Sequence, residues 1–208
     1  VISLEKKKSK PTISPSQIAS YTRCPEAYRR RYIQKEIIPP GISLLRGTSV
    51  HKGAERNFSQ KIESKIDLKK TDIIDYSINT FEETVKNEGI YLDPEEQSRG
   101  QSVVVAEAKD STSRLAGLLM DQVVKKYQPI ESEKVVEIDL PSSSHNLKGV
   151  IDLKIDSGNI LDLKTSKKTW SVDKVNSDAQ FTFYAMMQQS ETGEPAKSII
   201  IENLVDLK

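Results

Sequence analysis

Gly149-Val150-Ile151-Asp152-Leu153-Lys154-Ile155-Asp156-Ser157-Gly158-Asn159-Ile160-Leu161-Asp162-Leu163-Lys164-Thr165 is the stretch whose reading decides the fold. Apolar residues alternate with polar ones on both sides of the turn-forming tetrapeptide Asp156 to Asn159, which predicts two strands joined by a tight turn. The strands are expected over Leu147 to Ile155 and Ile160 to Thr165. By two-residue alternation, Ile151, Leu153 and Ile155 point one way while Val150 and Asp152 point the other. On the next strand Asp162 and Lys164 share a face and Leu163 turns from it. With the turn centred near Ser157, Asp152 and Asp162 each lie five residues away. Folding the hairpin therefore brings them nearly opposite one another, with side-chain roots about 4.5–5.5 Å apart.

Two ionised carboxylates that close repel each other, and on a buried face the cost is high unless a cation sits between them. A hard divalent ion, Mg²⁺ or Mn²⁺, suits such an all-oxygen pair. Lys164 would then stand beside an ion-held water, placed to orient it and to offset negative charge developing on a phosphate. A lone Asp-x-Lys is common, and a surface Asp–Lys pair with a solvated Asp152 is the plainer alternative. The hairpin geometry is what favours the chemical reading.

Outward from the hairpin, the period changes from near four to two at Glu133, and Val135 to Leu140 reads as a preceding strand with Glu137 and Asp139 on one face. Asp178 to about Ser190 reads as a helix, on which Gln180 and Tyr184 are neighbours one turn apart. Lys197 to Asp206 returns as a strand centred on Ile199, Ile200 and Ile201. Trp170 follows a polar, lysine-bearing loop; it is read as a packing residue, with base stacking as the alternative.

The N-terminal part is helical in pattern. Ser14-Pro15-Ser16-Gln17 has an N-cap serine, a first-turn proline and a glutamine able to close a capping box. That helix should stop before Pro25, which opens another carrying Tyr28, Tyr32 and Arg29 to Arg31. From Ser43 to about Ile66 the pattern is again helical, and Gly47, His51 and Glu55 fall on one face at steps of four. Ile74, Ile78, Phe81 and Val85 form a further stripe, Asp93-Pro94-Glu95-Glu96 begins another helix, and Leu115 to Val123 continues one that the polar stretch Lys109 to Ser113 is expected to interrupt. The chain divides into a basic, flexible tail over 1–13 and a single domain over 14–208, mainly helical to 130 and sheet-bearing from 131.

The net charge of +1 conceals an uneven distribution: residues 1–35 hold nine basic and two acidic side chains, +7, leaving −6 for the remainder. A basic segment of this kind suits a phosphate backbone, although Lys6 to Lys10 taken alone reads as a solvated tail. No apolar run approaches the roughly 18 residues of a membrane span, and the start lacks a secretory signal's apolar core. An intracellular protein, in the cytoplasm or nucleoid or in a host cell if viral, is the expectation. The single cysteine, Cys24, leaves oxygen and imidazole as the available metal donors. There is no Gly-x-x-x-x-Gly-Lys-Ser/Thr loop, so the chain is not itself a helicase motor.

Taken in order, Ser14-Pro15-Ser16-Gln17-Ile18, Cys24-Pro25-Glu26-Ala27-Tyr28, Gly47-Thr48-Ser49-Val50-His51, Gly149-Val150-Ile151-Asp152, Asp162-Leu163-Lys164-Thr165 and Gln180 to Tyr184 resemble the motifs of RecB-like nucleases of the PD-(D/E)XK superfamily, including CRISPR-associated and viral or phage exonucleases. The resemblance spans almost the whole chain. It implies a restriction-endonuclease-like α/β core, a small mixed sheet flanked by helices with an N-terminal helical elaboration forming a lid or channel wall. It further implies Asp152 and Asp162 as metal ligands, Lys164 as the catalytic lysine, the Leu163 carbonyl and His51 as further ligands, and Glu137 as an acid on the preceding strand. Gly47 would let the histidine helix come near the sheet. Gln180 and Tyr184 would contact nucleic acid or steady the lysine, and Arg23, Arg29, Arg30 and Arg31 would meet phosphates, to which guanidinium forks are matched. Cys24 stands where some relatives place the first cysteine of an iron-sulfur cluster, but its three partners are absent, so no cluster is expected. The activity implied is Mg²⁺- or Mn²⁺-dependent hydrolysis of DNA with one or two ions, by an exonuclease or single-strand-specific nuclease of replication, recombination or repair. A non-catalytic DNA-binding module, and a nuclease subunit active only with a helicase or recombination partner, are the competing expectations.

Overall fold

The computed structural model describes residues 10–155 and 158–207. Asp156 and Ser157 of the expected turn, and Lys6 to Lys8 of the expected tail, lie outside the described residues. Five strands, β1 (Thr12–Ile13), β2 (Glu131–Ile138), β3 (Asn146–Lys154), β4 (Asn159–Ser166) and β5 (Ser198–Val205), form one mixed sheet, with β2, β3 and β4 antiparallel and β5 parallel to β4. This is the small mixed sheet expected, and helices cover both of its faces.

On one side lie α3 (Ile42–Ser64), α4 (Lys70–Glu88) and α6 (Gln101–Leu118). Val50, Phe58, Ile73 and Leu115 from these helices pack with Leu153, Leu161 and Leu163 of the sheet. Across the sheet, Tyr184 and Met187 of α8 (Ala179–Thr192) pack with Val136, Ile151 and Ile160. The central strands bury apolar side chains toward both layers, Leu153, Leu161 and Leu163 toward α3 and Ile151 and Ile160 toward α8.

The helix starts follow their sequence signals. Ser14 and Gln17 close the capping box of α1 (Pro15–Arg23), at 3.2 and 2.7 Å, and Asp93 and Glu96 close that of α5 (Pro94–Arg99). Cys24, whose sulfur accepts the Ala27 N–H, begins α2 (Pro25–Tyr28), which runs on as a π-helical turn over Arg29–Ile33. The stripe on α4 is turned slightly from the one expected: Ile73, Ser77 and Phe81 are its buried line.

One expectation is corrected. Lys109 to Ser113 does not interrupt α6; Ser111 and Thr112 are buried in a continuous helix, Thr112 returning its hydroxyl to the Ala108 carbonyl at 2.9 Å. The helix changes geometry instead at Leu119–Val123, a π-helical turn. Within the segment expected as a tail, Thr12 and Ile13 pair in parallel with Asn146 and Leu147. Two residues are too few for a periodic signal; the pairing exists because β3 offers a free edge there.

That free edge arises from a fork. Among the described residues β3 and β4 pair in register through Leu153–Leu161 and Lys154–Ile160, at the end next to their turn, where the Ile155 N–H also donates to the Asn159 carbonyl at 3.1 Å. Beyond these pairs the two strands separate, β4 running beside β5 and β3 beside β2. Since Leu147 is paired with Ile138 of β2, β1 must take its other edge, the one β4 has vacated. The alternation expected along β3 breaks at the same place. Ile151 packs with Tyr184 and Met187, whereas Leu153 joins the α3 side, and Lys154 is buried against Glu131 and Glu191 of the α8 side.

Candidate active site

Asp152 and Asp162 stand at the mouth of this fork, one step beyond the last paired residues. The Leu163 N–H donates to Asp152 Oδ2 at 3.2 Å, so the carboxylate takes a backbone group that the ladder no longer uses. Asp162 is fully buried and is held from the α8 side: Tyr184 donates its hydroxyl to Asp162 Oδ1 at 2.9 Å and lies 3.4 Å from Asp152 Oδ1. Lys164 Nζ is 3.0 Å from Asp162 Oδ1 and donates at 2.8 Å to Gln180 Oε1, while Gln180 Nε2 donates to the Tyr184 oxygen at 2.7 Å. Gln180 thus ties lysine, tyrosine and aspartate together, and steadying the lysine is the geometry found.

From the opposite layer α3 presents Gly47, His51 and Glu55 to a cleft of about 440 Å³ shared with Asp152 and Lys164. His51 Nδ1 is 3.7 Å from Asp152 Oδ2. The approach depends on Gly47: a Cβ there would sit 2.9 Å from Thr165 Oγ1. Gly149 has a like reason on the other face, where a Cβ would fall 2.0 Å from Met187 Cε.

The electrostatics of the cluster are those of surplus negative charge in a poorly solvated place. Burial first, and then the Asp152 charge, push the Asp162 carboxyl up to about 6, against the pull of Lys164 and Tyr184. Burial also holds the His51 imidazole below its ordinary value, more than Asp152 raises it. Tyr184 is pushed up by burial and by both aspartates, so it remains a neutral donor.

Glu137 is not part of this cluster. It pairs with Lys148, is exposed, and accepts from Asn146 Nδ2 at 2.9 Å. The acid of β2 that lines the cleft with Asp152 and His51 is Glu133. Burial, followed by the charges of Asp152 and Glu55, pushes its carboxyl up to about 7. The signal was in the sequence: Glu133 and Asp152 are equally distant from the polar run Pro141 to Ser144, and Ser143 N bonds the Leu140 carbonyl at 3.0 Å in that turn.

The arginines separate. Arg29 and Arg30 face Glu26 and Glu36, at 2.7 and 2.8 Å, whereas Arg23 and Arg31 line two different grooves. Trp170 packs beside Phe181, with Lys174 Nζ 3.8 Å and Lys164 Nζ 5.8 Å from its ring centre.

Among the described residues, no three His, Cys, Asp or Glu side chains are gathered closely enough to cage an ion by themselves. The donor set nonetheless fits a hard cation. Asp162 Oδ2 is buried without a hydrogen bond, the Lys164 ammonium lying 2.9 Å away outside hydrogen-bond geometry, and a second carboxylate faces it across the fork. Asp152, Asp162 and the Leu163 carbonyl are the groups able to hold such an ion, with His51 and Glu133 beside them.

A mixed sheet between helical layers, forked where two aspartates and a lysine meet, is the restriction-endonuclease-like arrangement. The sequence profile of the PD-(D/E)XK nuclease superfamily matches residues 12–203, and the chain belongs to that superfamily. Its members generally use divalent ions such as Mg²⁺ or Mn²⁺. In fold the chain is similar to a crystal structure from Eubacterium rectale whose name assigns it provisionally as an exonuclease, with TM-score 0.57 and 14% identity over 100% of this chain and 75% of that one. None of the curated proteins matches the chain. No helix among the described residues is long and apolar enough to cross a membrane.

Proposed function

We propose that the protein is a metal-dependent DNA nuclease of the RecB-like kind, hydrolysing phosphodiester bonds from DNA ends in replication, recombination or repair. The observation that carries this is the meeting of Asp152, Asp162 and Lys164 at the strand fork, with one buried aspartate oxygen lacking a hydrogen bond. Bound Mg²⁺ or Mn²⁺ would polarise the phosphoryl oxygen and make a water acidic enough to attack.

Lys164 carries a fixed positive charge to the place where the phosphate gathers negative charge, and such preorganised charge is the main requirement of phosphoryl chemistry. Gln180 and Asp162 restrict its ammonium to that position. Tyr184, kept neutral, spends its proton on Asp162 and so fixes which carboxylate oxygen remains available. His51, with its imidazole favoured neutral, offers a lone pair beside Asp152. Arg23, in the groove that reaches Gln180 and Tyr184, and Arg31, in a separate groove, would serve as contacts for phosphate. A helicase or recombination partner would act by delivering strands to this site.

The test is cleavage of end-labelled linear and circular DNA with Mn²⁺, with and without EDTA, by wild type and Asp162→Ala. Metal-dependent loss of linear DNA only, abolished by the substitution, supports an exonuclease. Digestion of circles overturns the end-directed mode, and binding without metal-dependent cutting in any preparation overturns the enzyme in favour of a non-catalytic module.

A further inference from the structure

Trp170 is the chain's single tryptophan, yet among the described residues it belongs to none of the three apolar clusters of the core. It lies half-buried on the loop between β4 and α7 (Val172–Ser177), and its ring meets Phe181 and two ammoniums. That loop is pinned at its base. The Ser166 hydroxyl donates to the Lys168 carbonyl at 2.6 Å, and Asn203 Nδ2 of β5 reaches the same carbonyl at 3.5 Å. The ring itself is held by Lys174, whose Nζ stands 3.8 Å from its centre, and by Phe181, whose centre is 6.5 Å away at 57°.

Phe181 in turn lies 6.4 Å from Tyr184, so Trp170, Phe181 and Tyr184 form a row of rings. At one end Tyr184 bonds Asp162; at the other, the Trp170 ring centre is 5.8 Å from Lys164 Nζ. An ammonium has three N–H donors. Asp162 Oδ1 and Gln180 Oε1 accept from Lys164, whose side chain is only 18% exposed. In so poorly solvated a place, the negative face of an indole attracts an ammonium more strongly than it does at a surface.

A fixed positive charge stabilises a transition state only while it stays where the negative charge develops. Lysine has a long, flexible stem, so that constancy must come from what surrounds its ammonium. Resting on the nuclease proposal above, we infer that Trp170 is a positioning residue for Lys164. Its pinned ring is a third support of the ammonium beside Asp162 and Gln180, and the aromatic row sets the lysine against the aspartate that faces it. The ring face that Lys174 covers is not free to receive a base.

The test compares Trp170→Phe, which keeps a weaker π face, with Trp170→Leu, which keeps apolar bulk without one, in Mn²⁺-dependent cleavage; thermal melting checks that each folds. In Trp170→Leu kcat should fall about five- to tenfold and in Trp170→Phe about twofold, with KM for DNA within about twofold of wild type. A raised KM with kcat unchanged makes the ring a substrate contact, and unchanged kinetics make it packing. Equal losses in both variants remove the part played by the π face. Each of these overturns the assignment. A second measurement needs no activity: in EDTA without DNA, Lys164→Met should alter the emission of the one tryptophan, because the ammonium beside the indole is gone. Emission identical to wild type overturns the lysine–ring contact. The two proposals fail separately. If wild type cuts DNA and Trp170→Leu matches it, only the positioning role falls; if wild type cuts no DNA, the nuclease reading falls and emission still decides the contact.

Discussion

Glu133 stands opposite Asp152 across the antiparallel β2–β3 ladder, its neighbours Ser132 and Lys134 pairing with Leu153 and Ile151. The backbone there has φ of 51°, a left-handed conformation that a residue with a Cβ adopts at a cost. The same residue carries a carboxyl pushed up to about 7 by burial and by Asp152 and Glu55. A strained backbone and an unfavourable ionisation in one residue, next to a pair of aspartates, are what a site built to hold a cation would show.

This has a consequence for stability against pH in the absence of metal. Glu133 and Asp162 have ordinary values of 4.5 and 3.8 and are raised to about 7 and about 6. The folded protein keeps protons that the unfolded chain has released, so this contribution is complete below about pH 4 and is lost as pH rises through 6 and 7. His51, lowered by burial, acts in the opposite sense, its contribution being lost as pH falls below 6.5. In EDTA, the melting temperature of Glu133→Gln should therefore gain on wild type as pH goes from about 5 to about 7.5. Mg²⁺ or Mn²⁺ should stabilise wild type more at the upper end. Parallel melting curves for the two proteins across that range would contradict the assignment.

Tyr184 supplies a test of how Asp162 is held. Tyr184→Phe keeps the buried ring and removes the 2.9 Å bond to Asp162 and the acceptor for Gln180. Partners that orient a ligand carboxylate typically account for ten- to hundredfold in metal affinity or activity. The expected outcome is a rise of about that size in the Mn²⁺ concentration giving half-maximal cleavage, with the fold retained. Lys164→Ala, by contrast, should abolish cleavage at any Mn²⁺ concentration. Equal effects of the two substitutions at saturating Mn²⁺ would remove the distinction between holding the ligand and acting on phosphate.

Much of this site was legible in the sequence because a hairpin converts counting into geometry. Asp152 and Asp162 are equidistant from their turn, and β-alternation with the four-residue step on α3 brought His51, Gly47 and Lys164 to the same place. Counting failed for the β2 acid for a specific reason. Glu133, Glu137 and Asp139 share one face by alternation, and only the turn position decides among them. The fork was not legible at all: that β3 and β4 part after two pairs depends on β1 and β5 competing for their edges, a tertiary matter. Nor could alternation foresee Ile151 and Leu153, two residues apart, packing into different layers.

Gly149 shows what the α8 layer requires of β3. A Cβ would fall 2.0 Å from Cε of Met187, which is fully buried. Forced enlargement in a packed core typically costs about 1–3 kcal/mol, so Gly149→Ala should lower chemical-denaturation stability by that amount. Met187→Ala creates room at a cost of its own, about 2–5 kcal/mol. The double variant should be more stable than the sum of the two losses predicts, and a strictly additive cycle would mean that the methionine swings aside without strain.

The last prediction concerns the join between α3 and the end of the sheet. Asp206, its side chain 4% exposed, accepts from Ser111 Oγ at 2.5 Å and faces Arg114 at 3.0 Å and the buried Arg46 at 3.6 Å. Among the described residues Arg46 also bonds Ser111 Oγ at 3.2 Å while its Nε has no hydrogen bond, and burial depresses its pKa more than Asp206 raises it. Removing the acid strands a guanidinium in the core, which typically costs about 3–5 kcal/mol, whereas replacing a buried ion by an apolar group of similar shape is often neutral or better. Asp206→Ala should therefore destabilise strongly and Arg46→Met little, because Asp206 keeps Arg114 and Ser111. Arg46 directly precedes Gly47 on the helix that carries His51, so the two variants also test whether the ion pair places that helix. If the pair only stabilises, Arg46→Met cuts DNA as wild type does; if it sets the helix against Thr165, that variant loses activity while melting normally.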